Sequence, residues 1–115
     1  LSLTVGPSVR FPDVSRISAL KEMVQEDPGD PFPKYALAME LRKAGEDADA
    51  LDWFGRVVQD HPDYVAVYYQ MAGLQYDLGD GDAAGLTIAA GIAIAQQVSN
   101  AHAARELAEL REDNA

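Results

Sequence analysis

The chain of 115 residues contains no cysteine and no long apolar segment. The absence of cysteine excludes disulfide bonds, thiolate metal sites and cysteine nucleophiles. No apolar run reaches the roughly 20 residues that a membrane-spanning helix requires, and glycine, alanine and glutamine interrupt the most apolar stretch, 88–98. Residues 1–11 also lack the cationic segment and apolar core of a signal peptide. The sequence predicts one small domain, and a cytoplasmic location is favoured.

Basic residues are scarce. Nine lysines and arginines stand against 19 aspartates and glutamates, for a formal net charge of -10. A phosphate-binding surface needs clustered Lys and Arg, so the composition makes nucleic acid a poor partner and disfavours anionic membranes. The acidity has two interpretations: adaptation to high salt, where ions screen the repulsion between carboxylates, or the ordinary solvated surface of an acidic protein.

Residues typical of catalysis are also few. His61 and His102 are the only histidines, one in a turn before proline and the other near the start of a predicted helix. The sequence contains no Ser/His/Asp arrangement, HExxH spacing or glycine-rich phosphate loop. Asp77, Asp80 and Asp82 crowd one turn, but they lack the order of an EF-hand loop, so a solvated turn with a helix cap is expected. The sequence therefore predicts a non-catalytic protein without a metal site or a cofactor.

What the sequence does have is an internal repeat with a spacing of about 34 residues. The segment 24–28 (Val-Gln-Glu-Asp-Pro) recurs as 58–62 (Val-Gln-Asp-His-Pro). Small and large residues keep their places across the same spacing. The matched pairs are Tyr35 and Tyr69, Leu37 and Met71, Ala38 and Ala72, Gly45 and Gly79, Ala50 and Ala84, and Phe54 and Ile88. A fixed period in this range indicates stacked helix–turn–helix units.

Apolar residues at helical spacing, with proline and glycine at the breaks, predict six helices. The first ends at Pro28-Gly29, and the others cover about 31–45, 47–60, 64–78, 81–98 and 100–112. Residues 1–12 are predicted to be an N-terminal arm or linker, and residues 13–113 a helical repeat domain.

The two units resemble the tetratricopeptide repeat, a helical hairpin of about 34 residues. The signature positions hold Leu37-Ala38, Leu41, Gly45, Ala50, Phe54 and Pro62 in the first unit, 31–64, and Met71-Ala72, Gly79, Ala84 and Ile88 in the second, 65–98. Two places depart from the signature: Lys34 and Tyr68 stand where tryptophan is usual, and Gln75 stands where an aromatic residue is usual. The resemblance implies an all-α, right-handed α-solenoid of antiparallel helical hairpins that serves as a protein-binding scaffold, with the last helix as a cap.

In this family the first helix of each unit lines a concave groove. The resemblance therefore places partner-binding positions at Phe32, Tyr35, Met39, Arg42, Lys43, Tyr69, Gly73, Tyr76 and Asp77. Tyrosine and methionine suit binding surfaces, because tyrosine joins apolar area to a polar tip and methionine adapts its shape. We expect a peptide or helix of a protein partner to lie across Tyr35, Met39 and Tyr69.

Some members of the family bind the C-terminal carboxylate of chaperones through Lys, Asn and Arg in the groove. Tyr35, Met39 and Gln70 occupy those places here, so that specificity is not expected. Three alternatives to an external partner stay open. The chain's own last helix or its N-terminal arm covers the groove, or a second copy does so in a homodimer, or the chain is an accessory domain of a larger protein.

Overall fold

The computed structural model describes residues 14–115, so the predicted N-terminal arm lies outside the described residues. Six α-helices follow one another: α1 (Val14–Glu26), α2 (Pro31–Lys43), α3 (Asp47–Asp60), α4 (Ala66–Asp77), α5 (Gly81–Gln97) and α6 (Ala101–Asp113). No strand occurs in this part of the chain. The predicted all-α helical repeat fold is confirmed, and the predicted helices differ from the observed ones only at their ends.

Turns of one geometry close the α2–α3, α4–α5 and α5–α6 hairpins. Gly45 and Gly79 have φ angles of 81° and 79°, in the left-handed region that suits glycine, and Ser99 takes the corresponding place with a φ of 59°. In each turn the next backbone amide donates to the carbonyl five residues earlier. These bonds satisfy helix carbonyls that would otherwise lack a partner, so each helix ends sharply and the chain reverses.

Side-chain caps begin three of the helices. The Oδ1 atoms of Asp30, Asp80 and Asn100 accept hydrogen bonds from backbone amides in the first turns of α2, α5 and α6 at 3.0–3.1 Å. Such a cap contributes about 1 kcal/mol to stability. The aspartate-rich turn 77–82 thus contains a helix cap, as predicted.

Each helix packs against the next one in the chain, and α6 also packs against α4. The small residues predicted at close helix crossings are all fully buried: Ala38, Ala50, Ala72 and Ala84. Phe54 and Ile88 are fully buried as well and fill the space between helices. The size pattern that repeats in the sequence is therefore the packing pattern of the core.

Gly91 allows α4, α5 and α6 to meet closely. A Cβ atom at this position would lie 2.6 Å from the Cβ of Tyr68 and 2.8 Å from the Cδ1 of Leu107. Those distances are shorter than any ordinary contact, so only glycine fits without rearrangement. α5 therefore holds the last hairpin and α6 together at one crowded point.

α1 buries only part of its apolar stripe. Met23 belongs by its spacing to the apolar stripe of α1, yet its side chain is 42% exposed, whereas Leu20 is buried. α1 is the first described helix and packs against α2. A helix with a neighbour on one side buries only a narrow stripe, so the edge of the stripe stays in contact with solvent.

Candidate partner-binding surface

The predicted groove residues all lie on α2 and α4, and they include Phe32, Tyr35, Met39, Arg42, Tyr69 and Tyr76. On each helix, steps of four and then three residues place side chains on one face. This spacing joins Tyr35, Met39 and Arg42 on α2. On α4 it joins Tyr69 and Tyr76 through Gly73.

The exposed apolar area of this set comes mainly from two rings. The side chain of Phe32 is 54% exposed and that of Tyr69 is 40% exposed. Tyr35, Met39 and Tyr76 are half-buried and pack against the core. The set therefore combines two accessible aromatic residues with a base of side chains that the core holds in place.

Tyr35 lies in an aromatic cluster that joins α2 to the rest of the fold. Its ring centroid is 5.2 Å from that of Tyr64 and 6.2 Å from that of Phe54, with interplanar angles of 55° and 56°. Tilted arrangements of this kind suit the charge distribution of aromatic rings. Burial raises the pKa of the Tyr35 hydroxyl, and the neighbouring Tyr64 raises it further.

Tyr64 and Asp30 belong to the same surface but were not predicted. Burial raises the pKa of the Tyr64 hydroxyl, and the negative charge of Asp30 raises it further. Both residues precede helices, and they occupy equivalent positions in successive repeats. One position holds a carboxylic acid and the other a phenol. Because the repeat conserves neither residue type, the sequence contains no signal that singles this pair out.

Arg42 is fully engaged within the fold. Its Nη2 atom lies 2.6 Å from Oδ2 of Asp77, and its Nη1 atom donates to the carbonyl and the side-chain oxygen of Gln70 at 3.3 and 3.4 Å. The guanidinium crosses α4 at Gly73, where a Cβ would lie 3.7 Å from Nη1. The pairing neutralises the charge of Arg42, so Lys43, 77% exposed, is the more accessible cation at this end of α2.

The two residues at the tryptophan position of the repeat signature have structural roles. Lys34 is buried, and its Nζ atom lies 3.3 Å from Oδ2 of Asp60 and 3.1 Å from Nε2 of His61. Tyr68 is also buried, and its hydroxyl donates to the Pro62 carbonyl at 2.5 Å. Both side chains hold the α3–α4 turn, one from α2 and the other from α4. Neither is available to a partner.

A depression is lined by residues that are not among the predicted groove residues. Its volume is about 210 Å³, its walls are mostly apolar, and it is lined by Val58, Tyr68, Met71, Leu86, Thr87 and Ala90. Leu86 is 75% exposed at its edge. Sequence reasoning missed this feature, because Leu86 sits within the apolar α5, where exposed and buried residues look alike.

Neither a metal-binding cluster nor a membrane-spanning helix is found between residues 14 and 115. No group of three or more histidine, aspartate or glutamate side chains is placed to hold a metal ion. None of the six described helices combines the length and apolar character needed to cross a bilayer.

Comparisons with known proteins place this geometry in a family. A family model described as tetratricopeptide repeat matches residues 41–108. A search of curated proteins finds no match. The solved structures that are similar include a tetratricopeptide repeat domain protein from Salinibacter ruber and a domain of yeast Sti1.

The Salinibacter ruber protein is known from a crystal structure and a solution NMR structure. The crystal structure is 35% identical, covers 74% of this chain and 94% of its own, and has a TM-score of 0.69. The NMR structure is 36% identical, covers 76% of this chain and 89% of its own, and has a TM-score of 0.72. The TPR2B domain of yeast Sti1, solved in complex with pHsp70, has a TM-score of 0.79 and covers 85% of this chain and 78% of its own. It is 23% identical, so this similarity shows the fold alone. This chain belongs to the tetratricopeptide repeat family.

Proposed function

We propose that this chain is a non-catalytic interaction module that binds a peptide or helix of a partner protein across α2 and α4. In this proposal 31–64 and 65–98 are the two full repeats, and α6 caps the stack over about 100–112. Tetratricopeptide repeat domains are in general non-catalytic modules that bind proteins or peptides. The yeast domain in complex with pHsp70 has the same fold, which supports this general role.

The exposure of Phe32 and Tyr69 carries the proposal. Large aromatic residues that remain 54% and 40% exposed are typical anchors of protein interfaces. Burying such a side chain completely contributes about 1.5–3 kcal/mol relative to leaving it exposed. The half-buried Tyr35 and Met39 provide a firm base on α2, so a partner gains contact area without having to order this part of the surface.

Contacts of α6 support an external partner over the chain's own last helix. α6 packs against α5 and α4, with Leu107 buried against Gly91. In this position it leaves Tyr69 and Phe32 accessible to solvent. Association with a second copy is opposed by the formal charge of -10 on each chain, because like charges repel when two copies approach.

The test is an affinity capture from a lysate of the source organism with three baits. The double variant Phe32→Ala/Tyr69→Ala removes both exposed rings without opening the core. Leu86→Ala removes a side chain that is 75% exposed on α5 and serves as the matched control. Light scattering of each bait gives its oligomeric state.

We expect the wild type and Leu86→Ala to capture the same protein and the double variant to lose it. Equal capture by all three baits would contradict the proposal. A wild-type dimer that becomes monomeric only in Phe32→Ala/Tyr69→Ala would assign the surface to self-association instead.

A further inference from the structure

We propose that the partner segment is basic, with a lysine or arginine side chain that pairs with Asp30 beside the rings of Phe32 and Tyr64. Apolar neighbours in the segment then cover Met39 and Tyr69. The inference rests on the proposed function and names the chemistry of the partner.

The carboxylate of Asp30 is held in place at the start of α2. Its Oδ1 atom accepts a hydrogen bond from the Phe32 amide at 3.1 Å, which holds the carboxylate at the start of α2 next to the most exposed ring. Its charge also acts on the hydroxyl of Tyr64, whose ring packs 5.2 Å from that of Tyr35. The Asp30 carboxylate and the side chains of Phe32, Tyr35 and Tyr64 are named here the Asp30 patch.

The part of the chain that the structure describes supplies no ion-pair partner for the carboxylate of this patch. Lys34, the nearest cation along α2, is buried and engaged by the α3–α4 turn. Arg42 lies toward the other end of α2 and is paired with Asp77. A cation from outside is therefore the natural complement of the Asp30 patch.

Lysine and arginine side chains can bind both the carboxylate and the aromatic rings of the Asp30 patch. Their positive heads are attracted to the faces of aromatic rings, and they form charge-assisted hydrogen bonds with carboxylates. Their long apolar stems also pack along rings such as that of Phe32. Because the helix cap holds Asp30 in place, binding does not have to order the carboxylate.

The charge of the whole molecule favours the same class of partner. A formal charge of -10 attracts basic segments over a distance and repels acidic ones, including a second copy of this chain. Such attraction weakens as salt screens it. Binding through the Asp30 patch is therefore expected to weaken at high ionic strength.

The probe is a phage library of random peptides selected on the immobilised wild-type chain, followed by fluorescence anisotropy with the most enriched peptide. Asp30→Asn removes the charge but keeps the helix cap, because asparagine caps as well as aspartate. Asp80→Asn makes the same change at the cap of α5, where Oδ1 accepts from the Ala83 amide at 3.1 Å. It is the matched control for net charge and capping.

We expect enriched peptides to carry more Arg and Lys than Asp and Glu. The Kd of the best peptide should rise about two- to fivefold in Asp30→Asn and stay unchanged in Asp80→Asn. The Phe32→Ala/Tyr69→Ala variant should lose the peptide altogether.

Other outcomes overturn the inference in distinguishable ways. Peptides that are neutral or acidic, or that bind Asp30→Asn as well as the wild type, but still require Phe32 and Tyr69, would overturn the basic partner and leave the proposed function standing. If no peptide is enriched, or if enriched peptides bind the double variant equally, both proposals fail. A wild-type dimer that buries this surface would also overturn the inference.

Discussion

Arg42 of α2 and Asp77 of α4 form an ion pair with a distance of 2.6 Å between Nη2 and Oδ2. The pair connects α2 to α4, and the guanidinium lies over Gly73, where a Cβ would be 3.7 Å from Nη1. Both residues occupy positions that the family resemblance assigns to partner binding. Because they satisfy each other, neither residue offers much net charge to a ligand.

The ion pair is expected to add little to stability. The Asp77 side chain is 68% exposed, and pairs in contact with solvent contribute about 0.2–1 kcal/mol. A double-mutant cycle with Arg42→Ala, Asp77→Ala and the combined variant, measured by urea unfolding, should give a coupling energy in that range that decreases with added salt. A coupling above about 2 kcal/mol would contradict this weak, solvent-screened role.

Gly91→Ala is expected to destabilise the fold by about 1–3 kcal/mol. The new Cβ would lie 2.6 Å from the Cβ of Tyr68, an atom next to the backbone that cannot easily move. Gly85→Ala in the same helix is the matched control, because its Cβ would meet nothing within 4 Å. It should stabilise the chain by about 0.5–1 kcal/mol through helix propensity. Thermal unfolding of both variants checks the prediction, and equal melting temperatures would be inconsistent with it.

Ser99→Gly is expected to stabilise the chain by about 0.5–1 kcal/mol. Ser99 adopts a φ of 59°, where a residue with a Cβ is strained and glycine is not. The reverse change at the corresponding turn position, Gly79→Ser, should destabilise by a similar amount, since Gly79 has a φ of 79°. Urea unfolding of the two variants measures both effects, and a destabilised Ser99→Gly would count against strain in this turn.

Stability should fall as the pH rises above about 10. Burial raises the pKa of Tyr35, Tyr64 and Tyr68 above the ordinary value of 10.0, with smaller contributions from neighbouring groups. The hydroxyls are therefore neutral in the folded chain at a pH where the unfolded chain already ionises. Their contribution is fully present below the unfolded pKa and is lost as the pH rises through the folded pKa.

Urea unfolding at a series of alkaline pH values tests this expectation. Tyr35→Phe removes one of the three hydroxyls and should reduce the steepness of the decline, whereas Tyr69→Phe serves as a control for a partly exposed ring. A decline that is equally steep in the wild type and in Tyr35→Phe would show that this buried phenol does not contribute.

The helices and hairpins could be predicted because their causes are local. Gly45 and Gly79 end helices through backbone freedom, and Pro62 follows the end of α3. The alanines at the helix crossings recur at the repeat spacing because each repeat packs in the same way. These signals depend on residues near each other in the chain, so they are visible without coordinates.

Much of the candidate surface could not be predicted, because it depends on which helices become neighbours. The spacing predicts that Tyr35 and Arg42 lie on the same face of α2. It does not predict that the Tyr64 ring packs against Tyr35 or that Asp77 pairs with Arg42. Lys34 is buried although lysine is rarely so, because the last residue of α3, Asp60, supplies an acceptor.

The all-α repeat architecture, the order of the helices and the turns between them follow from the amino-acid sequence, because periodicity, glycine and proline act over short stretches of chain. Which charges are neutralised and which aromatic residues stay exposed follows from the way the helices pack. Those properties depend on distances between helices that are far apart in the chain. For that reason only the folded molecule distinguishes Arg42, which has an ion-pair partner, from Asp30, which has none among residues 14–115.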